Sequence, residues 1–387
     1  MSKELKFRLL VAMIAVGIAG FDIYLAILPS MDALSRSSVT LSYVVTLFAY
    51  SISQLLYGPA SDIWGIRRVA IFGFLVYFVG CLVCYYGAIE NMSVFIVGRA
   101  VQGIGIGCIG VLSRYGVTQL YSGSELIRKF SIVTISLTLV PLMSPLVGAY
   151  SFQYFGEGSI SLLLAFSSFV LLVITYFIFR DFSGTSDAGS INGGYTIING
   201  FKDVLCNLVF LRITVASACI VSGEFLYNAS ATFHMQNRLG FSPSEFGQVN
   251  MISAAGLAIG SIFCARYYKE IYFYRYLKYS YVFMVSGAGV ITITPATYTN
   301  PLLLVLPMAL YFVGLGLIYA AFCGKALSAV DKNKGTASGL MSAIQIAFAG
   351  MVAYSNSFFQ IDIQMMGALL LILVLVSFSI LPARMRK

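Results

Sequence analysis

At 387 residues the chain is long enough for two or three soluble domains, but its composition excludes them. Hydrophobic residues make up 59% and charged residues 10%, against roughly 45–50% and 25% in soluble domains, and mean hydropathy is +0.88. The 24 basic and 15 acidic side chains cannot coat a water-facing surface of this size, so the expected class is an all-α membrane protein. No soluble segment could hold an enzyme site or a nucleic-acid interface, and the single His excludes a His-based metal cluster; no cofactor and no metal are expected.

Apolar runs fall at about 8–30, 40–60, 69–89, 93–115, 129–151, 159–179, 208–232, 245–265, 276–298, 301–324, 336–358 and 363–382. Each is close to the ~20 residues that span a bilayer, which predicts twelve spans. The first follows Lys3, Lys6 and Arg8 and is too long for a cleaved signal, so it reads as a retained helix. With the N-terminus cytoplasmic, every Lys and Arg except Arg36, Arg238 and Arg99 falls on the cytoplasmic side, and Arg99 lies in the membrane. That asymmetry predicts cytoplasmic termini and accounts for the +9 net charge as topology. Residues 181–203, rich in Gly, Ser and Asn, predict a flexible linker between six-helix halves at 1–180 and 204–387. Two such halves with a site between them at mid-membrane is the layout of alternating-access transporters. Cys81 and Cys84 form a C-x-x-C inside a span, where packed thiols are expected.

Gly105 to Gly110 match G-x-G-x-x-G, but inside one apolar run the pattern cannot form a dinucleotide site. Gly103 and Gly107 instead give the small-residue spacing that lets helices approach closely in lipid. The stretch 58–68 carries Gly58, Asp62, Gly65, Arg67 and Arg68 between spans two and three. Span four begins its polar part with Arg99, followed by Gln102 and Gly103, and span five carries Pro141, Pro145 and Gly148. This ordered set resembles the loop, R-x-x-Q-G and antiporter motifs of the major facilitator superfamily.

Asp22-Ile23-Tyr24 with Pro29, the run Ser53 to Pro59, and Gly335-Thr336-Ala337-Ser338 are most similar to the Bcr/CflA-type drug:proton antiporters. Ala26 stands where that group has its first span-one proline, Ile63 and Ile66 depart from the loop motif, and Gly156-Glu157-Gly158 replaces its Gly-Trp-Arg. The resemblance implies the major facilitator fold, a monomer in a bacterial inner membrane, and proton-coupled export of a small amphipathic or drug-like molecule. A dedicated carrier of one metabolite, such as a siderophore or nutrient, is the alternative.

Charges in hydrocarbon are costly and so are functional candidates. Asp22 lies ~21 Å along the outward-running first span and Arg99 ~9 Å from the outer end of the fourth. In a core ~30 Å thick both sit at nearly one depth. Two readings follow: a structural ion pair that locks the N-terminal half, or a coupling pair that exchanges a proton for substrate. The resemblance favours the second. Glu224 lies ~24 Å along span seven, with Tyr227 and Asn228 on its face; it is either a second proton carrier or a residue at the outer interface. Tyr24, Tyr50, Gln54, Gln102, Asn250 and Gln345 are the other candidates for a substrate cavity. Asp62, beside Arg67 and Arg68, is expected to pair locally or meet a helix end, and so to stabilise one conformation.

Overall fold

The structure, a computed structural model, describes residues 2–24, 36–156, 158–179, 193–237, 239–241, 243–295, 300–359 and 362–381. Among these residues every regular element is helical: α1 (Lys3–Asp22), α2 (Arg36–Glu90), α3 (Met92–Leu120), α4 (Gly123–Phe155), α5 (Ser159–Ile178), α6 (Gly193–Cys206), α7 (Leu208–Asn237), α8 (Pro243–Tyr267), α9 (Phe273–Ile293), α10 (Leu302–Ser328), α11 (Lys334–Phe359) and α12 (Ile363–Ile380). Eight segments within them are long and apolar enough to cross a membrane. Backbone N–H and C=O groups have no water partner in hydrocarbon, so a spanning chain of this composition must satisfy them within helices.

The expected break between spans two and three is narrower than the sequence suggests. Helix continues through most of 58–68 and is interrupted at Gly65 alone, whose φ of 79° and ψ of 155° lie where only glycine is comfortable. A Cβ there would meet no neighbour within 4 Å, so substitution costs backbone strain and nothing else. Gly65→Ala is expected to destabilise the protein by about 1–3 kcal/mol. Thermal unfolding in detergent should show the drop in midpoint; an unchanged midpoint would mean that the kink relaxes freely.

The linker also departs from expectation. Residues 193–203, read as flexible, belong to α6; the remainder of the linker, 181–192, lies outside the described residues. The helix forms because Ile197, Phe201, Val204 and Leu205 recur at helical spacing beneath a composition dominated by Gly and Asn.

The chain divides into two compact units, and these do not coincide with the sequence halves. Unit one comprises residues 1–120, 139–206 and 330–343; unit two comprises 121–138, 207–329 and 344–387. Helices α4 and α11 therefore each contribute residues to both.

In unit one the second part of α2 packs tightly on α3. Gly73, Gly80 and Gly87 face Cys108, Gln102 and Phe95, and a Cβ on Gly80 would stand 2.6 Å from the Gln102 backbone nitrogen. Small residues permit this close approach, which replaces the hydrophobic drive that lipid removes. Gly103 and Gly107 pack against Thr46, Ala49, Tyr50 and Ser53 on the first part of α2, as their spacing predicts. Cys81 and Cys84 are buried free thiols in the same seam.

In unit two α10 is the central helix. Gly256 of α8 meets the backbone of Ala309, and the Ser280 hydroxyl of α9 donates to the Gly314 carbonyl at 2.6 Å. Tyr281 and Ser377 share a 2.6 Å hydrogen bond, and Ser377 donates onward to Ala216, tying α9, α12 and α7 together.

Candidate functional site

The C-terminal end of α1 is where the motifs of spans one, four and five meet. Asp22 is its last residue, and its side chain lies outside the described residues. Arg99 of α3 is fully buried, and its Nη1 donates to the Gly20 carbonyl at 2.7 Å, two residues before Asp22. The same nitrogen donates to Gln102 Oε1 at 2.9 Å, and Gln102 Nε2 reaches Cys81 Sγ at 3.1 Å. The guanidinium carbon lies 4.6 Å from the centroid of the Tyr24 ring, a cation–π contact that solvates charge where water is excluded. Tyr24 in turn shares a 2.8 Å hydrogen bond with Ser161 of α5.

Gly148, from the Pro/Gly motif of α4, is buried against the backbone carbonyl of Ile23, a close approach that a Cβ would block. Pro141, half-buried, lies two turns before it on α4, and the Pro145 side chain lies outside the described residues. Three motifs far apart in sequence thus converge on the backbone around Asp22. Among the described residues neither Nε nor Nη2 of Arg99 makes a hydrogen bond. Tyr24 and Gln102, expected along a cavity, are both fully buried with their polar atoms engaged in this cluster.

The second cluster is built on Asp62. Its Oδ1 accepts from Gly335 N at 2.8 Å, and its Oδ2 accepts from Thr336 N and Thr336 Oγ1, both at 2.7 Å. These are donors in the first turn of α11, which no intrahelical carbonyl can satisfy and where the helix dipole favours an anion. Of the two outcomes expected for Asp62, a helix end is what it meets; no ion pair to Arg67 or Arg68 is present among the described residues. Gly58 and Gly335 allow the approach, since a Cβ on Gly58 would stand 2.7 Å from the Gly335 carbonyl oxygen.

Arg67 serves a different helix end: its Nη2 donates to the Tyr176 carbonyl in the last turn of α5 at 3.0 Å. Its guanidinium stacks 4.9 Å from the Tyr176 ring centroid. Arg68 is exposed. Arg114, which the charge pattern placed at the cytoplasmic end of span four, lies in the last part of α3, where it donates to Ser342 of α11. Ser338 adds a 3.1 Å bond to the Val111 carbonyl. Residues 335–342 of α11 are therefore held by α2 and α3 within unit one.

Other candidates are dispersed. The Tyr50 hydroxyl and Gln54 Oε1 lie 3.3 and 3.9 Å from where a Gly110 Cβ would stand, and Tyr50 packs edge-on to Phe21 at 4.9 Å. Neither amide atom of buried Gln54 is hydrogen-bonded among the described residues. In unit two, Gln345 donates to Ser217 at 2.8 Å and accepts from Tyr319 at 3.3 Å, and Tyr227 bonds Ser253 at 3.0 Å. Asn250 is half-buried, with its Oδ1 unbonded among the described residues, and Asn228 is exposed. Glu224 is half-buried within electrostatic reach of Tyr311, and no hydrogen bond or ion pair engages it among the described residues.

The sequence matches the family model described as Major Facilitator Superfamily over residues 10–354. It is 23% identical over 359 residues to the Bacillus subtilis (strain 168) protein named "Uncharacterized MFS-type transporter YdgK", covering 91% of this chain and 88% of that protein. It is 24% identical over 351 residues to the Escherichia coli (strain K12) "Multidrug resistance protein D", covering 89% and 86%. Among solved structures, the transporter FucP in its outward conformation is similar with a TM-score of 0.77 at 12% identity, over 100% of both chains. The human organic anion transporter MFSD10 is similar with a TM-score of 0.76 at 14% identity, over 99% of this chain and 100% of that one.

Proposed function

Because the chain belongs to the Major Facilitator Superfamily, we propose that it exports a small amphipathic or drug-like molecule in exchange for protons. The observation that carries this reading is Arg99, fully buried and bonded to the Gly20 carbonyl two residues from Asp22. A buried cation needs a compensating anion, and a carboxylate so placed can bind a proton or release it as substrate arrives. Similarity to a multidrug resistance protein supports the substrate class.

In this reading Asp22 carries the proton and Arg99 holds the empty, charged state. The halves 1–180 and 204–387 are the moving bodies, in a bacterial inner membrane with both termini cytoplasmic. Asp62 then holds the state closed on the cytoplasmic side, because its bonds join α2 of the first half to α11 of the second. Opening that side breaks them. Glu224, an acid outside the antiporter motifs, favours a second reading as a dedicated carrier of one metabolite.

Purified protein in proteoliposomes with an imposed pH gradient tests the first reading. Tetraphenylphosphonium or ethidium should move uphill against the proton flux, and the movement should collapse when an ionophore dissipates the gradient. Transport of neither probe under any gradient would contradict drug export.

A further inference from the structure

Helix α6 has two unlike apolar faces. Gly200 and Val204 are buried, and Gly200 lies against Asn333 and Thr336, with a Cβ there standing 3.6 and 3.7 Å from their side chains. Thr336 is the residue that donates twice to Asp62. On the adjoining stripe Ile197, Ile198 and Leu205 are 38%, 70% and 45% exposed, and half-buried Phe201 lies between them. At 100° per residue these four side chains fall within one ~100° sector, while Asn199 and Asp203 occupy the opposite side and Lys202 borders the stripe.

Such a stripe on a helix with polar residues opposite is the pattern of a helix lying in a membrane interface. Its position points the same way. Only Asn207 separates α6 from α7, and that residue caps α7 by accepting from Phe210 N at 3.0 Å. The first turn of α7 presents Leu208 and Val209, 65% and 45% exposed, where a membrane-crossing helix enters lipid. The α6 stripe is therefore continuous in sequence with an apolar surface that the bilayer covers. Lys202 on its flank is placed to meet anionic headgroups.

We infer that α6 is an interfacial helix: its Ile197–Ile198–Phe201–Leu205 stripe lies in the lipid headgroup layer on the membrane face where α7 begins, while Gly200 rests on the first turn of α11. The occupant of the stripe is lipid. The inference depends only on the chain being a membrane protein and not on any coupling mechanism. It also gives the linker a mechanical role, since a helix fixed at the interface touches the Thr336 that Asp62 holds.

Single cysteines at 198 and 203, each in full-length protein with Cys206 replaced by Ser, can carry an environment-sensitive fluorophore in proteoliposomes containing anionic lipid. The label at 198 should emit to the blue and lose intensity to brominated lipid, with little loss to aqueous iodide. The label at 203 should do the reverse. Equal iodide quenching at both sites would overturn the inference, as would shielding of 198 from both quenchers, which would place protein over the stripe. A third label at Val209 reports on folding and insertion, because it must be quenched by brominated lipid whichever way α6 lies.

Discussion

Replacing Asp22 by Asn is expected to abolish proton-driven uphill transport while leaving probe binding in place, with its pH dependence flattened. Asn is nearly isosteric and cannot titrate, so only the coupling step is lost. The companion Arg99→Ala should damage the protein itself. It removes the bonds to Gly20 and Gln102 and the stacking on Tyr24, and breaking buried charge compensation of this kind costs about 3–5 kcal/mol. Lower yield and a lower unfolding midpoint in detergent are the readouts. Arg99→Lys keeps the charge but not the planar fork that engages the Gly20 carbonyl and a ring face together. It should rescue folding more than transport. Equal recovery of both would mean that only charge matters at this position.

The second large effect is expected at Asp62. In Asp62→Asn an amide NH2 replaces one carboxylate oxygen and faces the Gly335 or Thr336 donors, leaving at least one first-turn N–H unpaired. Hydrogen bonds to a charged group contribute about 1.5–3 kcal/mol, which corresponds to a roughly 10- to 150-fold shift between two conformations. Transport should fall accordingly, while equilibrium binding of tetraphenylphosphonium changes little. Double electron–electron resonance between spin labels on α2 and α11 would report the shift as a longer distance at that end. Lost binding with an unchanged distance distribution would make Asp62 a ligand contact instead.

The helical class was legible in the sequence because hydropathy is a local property, averaged over ~20 residues. The close packing of α3 was legible for a related reason: Gly103 and Gly107 declare a close-contact face through spacing alone. What could not be read was which distant backbone each motif meets. Asp62 carries a recognisable motif, yet its partner Gly335 lies 273 residues away, and nothing near Asp62 names a helix N-terminus. The partner of Arg114 was hidden, because Ser342 is brought to it by tertiary packing and nothing near position 114 points to residue 342. Helix α6 was hidden by composition: the glycines and asparagines of 181–203 outweigh four apolar residues whose periodicity, not number, makes the helix amphipathic. Around Asp22 the sequence identified the participants Arg99, Gln102 and Gly148 but not that Gly148 and Arg99 both reach the last turns of α1.

One comparison decides whether Asp22 couples transport to protons. Wild-type and Asp22→Asn protein are reconstituted in parallel, and tetraphenylphosphonium is followed both as uphill movement on an imposed pH gradient and as exchange across the membrane without one. The variant should retain exchange, lose uphill movement completely, and no longer move protons when probe is added. Uphill movement by the variant at unchanged proton stoichiometry would contradict this coupling, leaving Asp22 a structural partner of Arg99 and Glu224 the next carboxylate to test.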